Sequence, residues 1–212
     1  MQSITNYIKE LGQYGTCTIV SRESVSGYHM ISSTCTFKDK RIHYGRLRKF
    51  KARFCARGDI QMEVVYYFEK YAPVVSLTTV IFMLRLSINQ GWATIQMDLS
   101  NGFSQDTLVE YFYLAFSYYF GSYDGDDWAN MFIKINKILY WLVQAPLYWY
   151  NHMKGAFEAR RFKPNPLDPC MFYEIFIIEL IYVDGVLLFV TDQDNIDEVI
   201  KELEDSGLLL TV

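Results

Sequence analysis

Apolar positions along the chain follow two rhythms, one near 3.6 residues and one of 2, and the changes between them mark the expected elements. From Met1 to about Gly12, Ile4, Ile8 and Leu11 fall on one face of a short helix, and Thr16 to Val20 reads as a strand. Between Thr34 and Gly58 two strand-like runs flank Gly45, which suits a hairpin turn. On the second run Phe50, Ala52 and Phe54 alternate with Lys49, Lys51 and Arg53, so one face is apolar and the other basic. Thr78 to Asn89 has helical spacing through Val80, Met83, Leu84 and Leu86, and Trp92 to Leu99 reads as a strand that closes around Asp98. Asp124 to Asn130 is acidic and reads as a surface loop. Tyr148 to Arg160 is a helix that Pro164, Pro166 and Pro169 prevent from continuing. Cys170 to Val190 reads as two apolar strands broken at Asp184-Gly185. A helix from Asp194 to Ser206 buries Ile196, Val199, Ile200 and Leu203 and ends at Gly207, and Leu208 to Val212 starts a strand. From residue 93 onward the order is strand, helix, strand, strand, helix, strand, which is the α+β, ferredoxin-like split βαβ plan with its helices on one face. Many unrelated functions use that plan.

Composition narrows the class. Of 212 residues, 51% are hydrophobic and 21% charged, so the chain folds rather than staying disordered. A net charge of -4 argues mildly against a nucleic-acid partner, but its distribution argues the other way. Nine of the 20 Lys and Arg residues lie between Lys38 and Arg57, where Asp39 is the single acid. That strip is either a solvated hairpin face or a surface that grips phosphates. Cys17, Cys35, Cys55 and Cys170 have no zinc-knuckle or CxxC spacing and read as reduced thiols of an intracellular, cytoplasmic protein. The N-terminus lacks a signal-peptide run. The most apolar window, Met171 to Val190, carries Glu174, Glu179 and Asp184 and makes a poor membrane span.

Two aspartates carry the candidate chemistry. Asp98 ends one strand and Asp184 sits at a hairpin tip, and in the expected strand order both reach one sheet edge. Paired carboxylates there suit Mg²⁺, which takes hard oxygen ligands together with substrate phosphates. Asp-Gly between apolar runs is also the commonest kind of two-residue hairpin turn, so on the residues alone a plain turn is the favoured explanation of Asp184.

Five ordered blocks then tie the chain to a family. Lys49 to Gly58 (KFKARFCARG) resembles the "KARLVARG" block of copia-type reverse transcriptases, and Tyr67 to Val75 resembles "DYxETFAPVV". Gln96 to Phe103 resembles "QMDVxNAF", Lys137 to Tyr150 resembles "KALYGLKQAPRxWY", and Tyr182-Val183-Asp184-Gly185 resembles "YVDD". The resemblance implies a right-hand polymerase, with fingers over 1–92, a basic hairpin at about 34–57, and a palm over 93–212. It implies that Asp98 and Asp184 hold two Mg²⁺ or Mn²⁺ ions about 3.5–4 Å apart, one activating a primer 3′-hydroxyl and one neutralising phosphates. Lys40 and Arg53 would contact the incoming deoxynucleoside triphosphate, Phe103 would pack under its sugar, and Gln144 and Tyr182 would border its pocket. Lys38, Arg48, Lys49, Lys51 and Arg57 would meet an RNA template and DNA primer. Other parts of a retrotransposon polyprotein are the implied neighbours, and a virus-like particle the implied setting.

The chain departs from that pattern at identifiable points. Gly185 replaces the second aspartate of "YVDD" and removes a carboxylate. Trp141 stands where the family has Gly, Leu147 where many members have Arg, and Gly102 where they have Ala. Cys17 and Cys35 stand where Trp is usual. The expectation is of fingers and palm with thumb and RNase H segments absent. Three readings follow: an RNA-directed DNA polymerase impaired at Gly185, a relic that folds and at most binds nucleic acid, or a ferredoxin-like interaction module.

Overall fold

The structure, a computed structural model, describes residues 12–13, 15–25, 27–28, 30–99, 107–116, 130–182, 185–191, 201 and 210–211. Nearly all of the expected helices at Met1 to Gly12 and Asp194 to Ser206, and of the acidic loop at Asp124 to Asn130, lies outside those residues. Packing divides the chain into two compact units, each drawn from two segments: Met1–Lys70 with Phe103–Ala145, and Tyr71–Gly102 with Pro146–Val212.

The first unit is built on a five-stranded sheet of β1 (Cys17–Ser21), β2 (Met30–Arg41), β3 (Leu47–Ala56), β5 (Thr107–Ala115) and β6 (Met131–Lys137), in the order β1-β6-β5-β2-β3. Neither β5 nor β6 is marked by the hydrophobic pattern, and both join this sheet rather than extending the one after residue 93. Strand β2 pairs with β5 only through Met30 to Ser32, so beyond Ser33 the β2–β3 hairpin runs as a two-stranded ribbon. Its turn follows the expectation: Tyr44 and Gly45 both take positive φ, 70° and 74°, which glycine tolerates and which reverses a ribbon tightly. The core gathers Ile31, Phe54, Phe112, Leu114, Ile133 and Ile135.

The second unit holds β4 (Ala93–Leu99), β7 (Lys163–Pro164), β8 (Met171–Glu174), β9 (Ile177–Tyr182), β10 (Gly185–Val190) and β11 (Leu210–Thr211), in the order β11-β4-β10-β9-β8-β7. All the pairings are antiparallel, and the run β11-β4-β10-β9 is the strand order of a split βαβ sheet. The expected two strands between Cys170 and Val190 are three, because Ile175 and Phe176 turn the chain between β8 and β9. That turn is apolar and half to fully exposed, so hydropathy could not mark it.

Two described helices flank this sheet. Helix α1 (Leu77–Gln90) starts at Ser76, whose Oγ accepts the Thr78 N–H at 3.2 Å, and stops at Gly91 in the left-handed region, φ 69°. Its Met83 packs with Leu180 and Phe189. Helix α2 (Ala145–Glu158) begins three residues earlier than expected and buries Trp149, Met153 and Phe157 at helical spacing. Phe157 meets Phe172 at 5.2 Å between ring centres. Phe172 is opposite Glu179 in the ladder while Met171 is opposite Leu180, so α1 and α2 lie on opposite faces. Helix α1 precedes residue 93 and is not one of the two helices of the expected split βαβ plan; of those, the Asp194 to Ser206 helix lies almost wholly outside the described residues.

Candidate nucleotide and metal site

The candidate metal edge lies in the second unit. Asp98 of β4 is directly opposite Gly185 of β10, and Gly185 is directly opposite Tyr182 of β9. Directly opposite residues of an antiparallel ladder share a face with Cα atoms about 4.5–5.5 Å apart. Position 185, where the related pattern carries a carboxylate, is thus the cross-strand neighbour of Asp98. Asp184 and Phe103 lie outside the described residues. Only Val183 and Asp184 separate the paired residues Tyr182 and Gly185, so Gly185 is the first residue of β10 rather than part of the turn. It is not among the glycines with positive φ. A Cβ there would meet the Tyr182 carbonyl oxygen at 3.4 Å, an ordinary contact. The turn therefore does not need glycine at 185.

The basic strip lies in the first unit. Lys38 is opposite Lys51, Lys40 is opposite Lys49, and Thr36 is opposite Arg53. These positions alternate along both strands and so occupy one face of the ribbon. Like charges set directly across a ladder repel unless an anion lies between them. Lys40 adjoins a register shift between Lys40 and Arg41. Arg48 is exposed. Arg57 forms a fork with Asp59, with Nε to Oδ1 at 2.7 Å and Nη2 to Oδ2 at 2.6 Å. That bond, more than the charge itself, holds the Asp59 carboxyl below the usual carboxylate range. The opposite face is only partly a packing face: Phe54 is buried, but Phe37 and Phe50 are 62% and 65% exposed.

The segment from Tyr140 to Gln144 packs on the end of β3. Ala56 N–H donates to the Tyr140 carbonyl at 3.3 Å, and the Arg53 guanidinium lies 5.1 Å from the Tyr140 ring centre. Gln61, which no sequence signal singles out, ties the segment down: its Oε1 accepts the Val143 N–H at 2.8 Å and its Nε2 donates to Gln144 Oε1 at 3.1 Å. Gln144 Nε2 donates to the Tyr66 carbonyl at 3.3 Å, and the residue is 1% exposed. Gln144 is therefore buried and held by hydrogen bonds inside the first unit. Trp141 has φ 73° and is 56% exposed, and with Thr34, Arg57, Gly58, Asp59 and Val143 it lines an open concavity of about 580 Å³.

None of the four cysteines forms a disulfide, and Cys17, Cys55 and Cys170 are buried, which pushes each up to about 11. No helix among the described residues is long and apolar enough to cross a membrane.

Residues 14–208 match the family model described as reverse transcriptase (RNA-dependent DNA polymerase). The chain is 27% identical over 214 residues to the retrovirus-related Pol polyprotein from transposon TNT 1-94 of Nicotiana tabacum, covering 97% of this chain and 16% of that protein. It is 29% identical over 148 residues to the corresponding polyprotein from transposon RE1 of Arabidopsis thaliana, covering 68% of this chain and 10% of that protein. It is 24% identical over 206 residues to the transposon Ty1-GR3 Gag-Pol polyprotein of Saccharomyces cerevisiae, covering 94% and 11%. The chain thus spans between a tenth and a sixth of the length of these relatives.

Proposed function

Because the chain belongs to the reverse transcriptase (RNA-dependent DNA polymerase) family, as a copia-type domain of a retrotransposon Pol polyprotein, we propose that it is built for template-directed DNA synthesis and is impaired at Gly185. In this reading the first unit serves as fingers and the second as palm. The carrying observation is the register that sets position 185 across from Asp98, one residue after Asp184.

The donor chemistry at that edge fits a hard divalent cation, with carboxylate oxygens from Asp98 and Asp184 as the protein's ligands. Bound there, Mg²⁺ or Mn²⁺ supplies charge neutralisation at the phosphates and a more acidic primer hydroxyl. The primer 3′-oxygen attacks the α-phosphorus of the nucleotide, and pyrophosphate leaves. Arg53 and Lys40 hold the triphosphate, Tyr182 and Phe103 border the sugar and base, and Gln144 stiffens the pocket wall from inside. Lys38, Arg48, Lys49, Lys51 and Arg57 follow the RNA template and DNA primer. Catalysis of this kind is mainly positioning and charge stabilisation, so one absent carboxylate weakens the cation site and misplaces the reacting groups. A misplacement of about 1 Å costs on the order of 10²-fold in rate. Other parts of the polyprotein are the natural partners, inside a virus-like particle.

A second reading, a relic that binds nucleic acid without chemistry, is favoured by the same absent carboxylate. Primer extension on an RNA template with Mg²⁺, comparing the chain with Gly185→Asp, separates the two. Extension by the variant alone, or at least 10²-fold faster, supports the impaired polymerase. Equal extension by both removes the lesion from Gly185, and none by either favours the relic.

A further inference from the structure

Arg53 sits where the ribbon joins the sheet. It lies opposite Thr36, at the inner end of the face that carries positions 38, 40, 49 and 51. An arginine side chain has four free torsions, and a phosphate binds it more tightly where they are already restricted. In this chain the restriction comes from the Tyr140 ring, whose face takes the guanidinium at 5.1 Å.

The main chain that carries the ring is held at several points. The Tyr140 carbonyl accepts from Ala56, two residues beyond Phe54 on the strand that carries Arg53. The next residue, Trp141, turns into the left-handed region, and its carbonyl lies where no side chain at position 58 could fit. Gln61 then bonds Val143 and Gln144, closing the segment against β3. A guanidinium held over a ring keeps its edge donors free for phosphate oxygens, which a guanidinium forked onto a carboxylate does not. Arg57, forked on Asp59, is the contrast within the same strip.

We infer that Tyr140 is a positioning residue for triphosphate recognition: its ring holds the Arg53 guanidinium so that the edge donors face an incoming polyphosphate. This rests on the reading of Arg53 as a triphosphate contact. It makes Tyr140 necessary through its ring and not through its hydroxyl.

The test uses inorganic tripolyphosphate as the probe, titrated calorimetrically without metal. In parallel, NMR observes the Arg53 Nε–H proton, which a ring face shifts upfield. Tyr140→Phe is expected to keep both the shift and the affinity. Tyr140→Leu is expected to lose the shift and weaken binding about fivefold to tenfold, and to have no further effect once Arg53→Ala is present. Thermal melts keep loss of folding apart from loss of binding. An unshifted Nε–H in the unaltered chain overturns the inference without any variant. So does a Tyr140→Leu protein that loses the shift but binds as before. If the shift is present and tripolyphosphate does not bind the unaltered chain, the failure lies in the reading of Arg53, and the inference falls with it.

Discussion

A Cβ on Gly58 would overlap the carbonyl oxygen of Trp141, so the backbone of the Tyr140 to Gln144 segment fits against β3 only because residue 58 has no side chain. The obstructing atom belongs to the main chain, and relief means moving the whole segment. Gly58→Ala is expected to destabilise by about 1–3 kcal/mol through overpacking, read as a lower denaturant midpoint with unchanged slope. Trp141 carries the complementary strain. It holds φ 73°, a region that costs a residue with a Cβ roughly 1–2 kcal/mol, while its ring is more than half exposed. Trp141→Gly is therefore expected to be neutral or stabilising by about 1 kcal/mol. A clear loss of stability would mean that the ring makes contacts that outweigh the backbone.

The lysine pairs across the ribbon make a prediction about salt. Position 38 pairs with 51 and position 40 with 49, so the ladder sets lysine across from lysine, an arrangement that bound phosphates favour. Affinity for nucleic acid should fall linearly on a log–log plot against salt. Lys38→Ala with Lys51→Ala should flatten the slope by about 1.5, for two lost phosphate contacts. Fluorescence anisotropy of a labelled oligonucleotide between 50 and 200 mM salt, roughly the range in which such contacts are lost, reads it directly. An affinity that ignores salt would remove the ribbon from nucleic-acid binding.

The ribbon was legible from sequence because two signals coincide there: strict alternation on the second strand and Gly45 between the runs. Strands β5 and β6 were not, since local periodicity does not record which sheet a strand joins. The exposed Ile175-Phe176 turn was hidden for a simpler reason, its own hydrophobicity. At the candidate site the motif marks Asp98, but only the ladder puts position 185 opposite it. Tyr140 stood inside a recognised block without a role, and Gln61 outside every block, because a platform and a brace declare themselves through distance alone.

Asp168 was also silent in the sequence and anchors the start of α1. Its Oδ2 accepts the Ser76 N–H at 3.0 Å and the Thr79 hydroxyl at 2.6 Å, and its Oδ1 accepts the Cys170 N–H at 3.1 Å. Removing the carboxylate leaves these donors without that acceptor in a largely buried place. Asp168→Ala is expected to cost about 2–4 kcal/mol, and Asp168→Asn, which keeps one acceptor oxygen, less. Urea unfolding of both variants checks the order. Equal costs would show that the charge, rather than the geometry of acceptance, matters.

Glu179 gives the stability of the second unit a pH dependence of unusual sign. It lies in β9, is 0% exposed, and neither carboxyl oxygen has a hydrogen-bond partner among the described residues. Burial raises it from its ordinary 4.5 to about 8, and the positive charge of Arg160 offsets only part of that. Between those values the unfolded chain releases the proton while the folded chain keeps it, so the folded state binds more protons. Stability then falls as pH rises from about 4.5 towards about 8, and the loss is complete above the folded value. Fully realised, the gap is worth on the order of 5 kcal/mol, a large share of a small domain's total. Thermal melts from pH 5 to 9 should show the midpoint dropping with pH in the unaltered chain. Glu179→Gln should abolish that drop, and Glu179→Leu should abolish it and raise stability throughout, because an apolar side chain has nothing to ionise. A midpoint that rises with pH in the unaltered chain, or a drop that survives in Glu179→Leu, would show that other groups set the dependence.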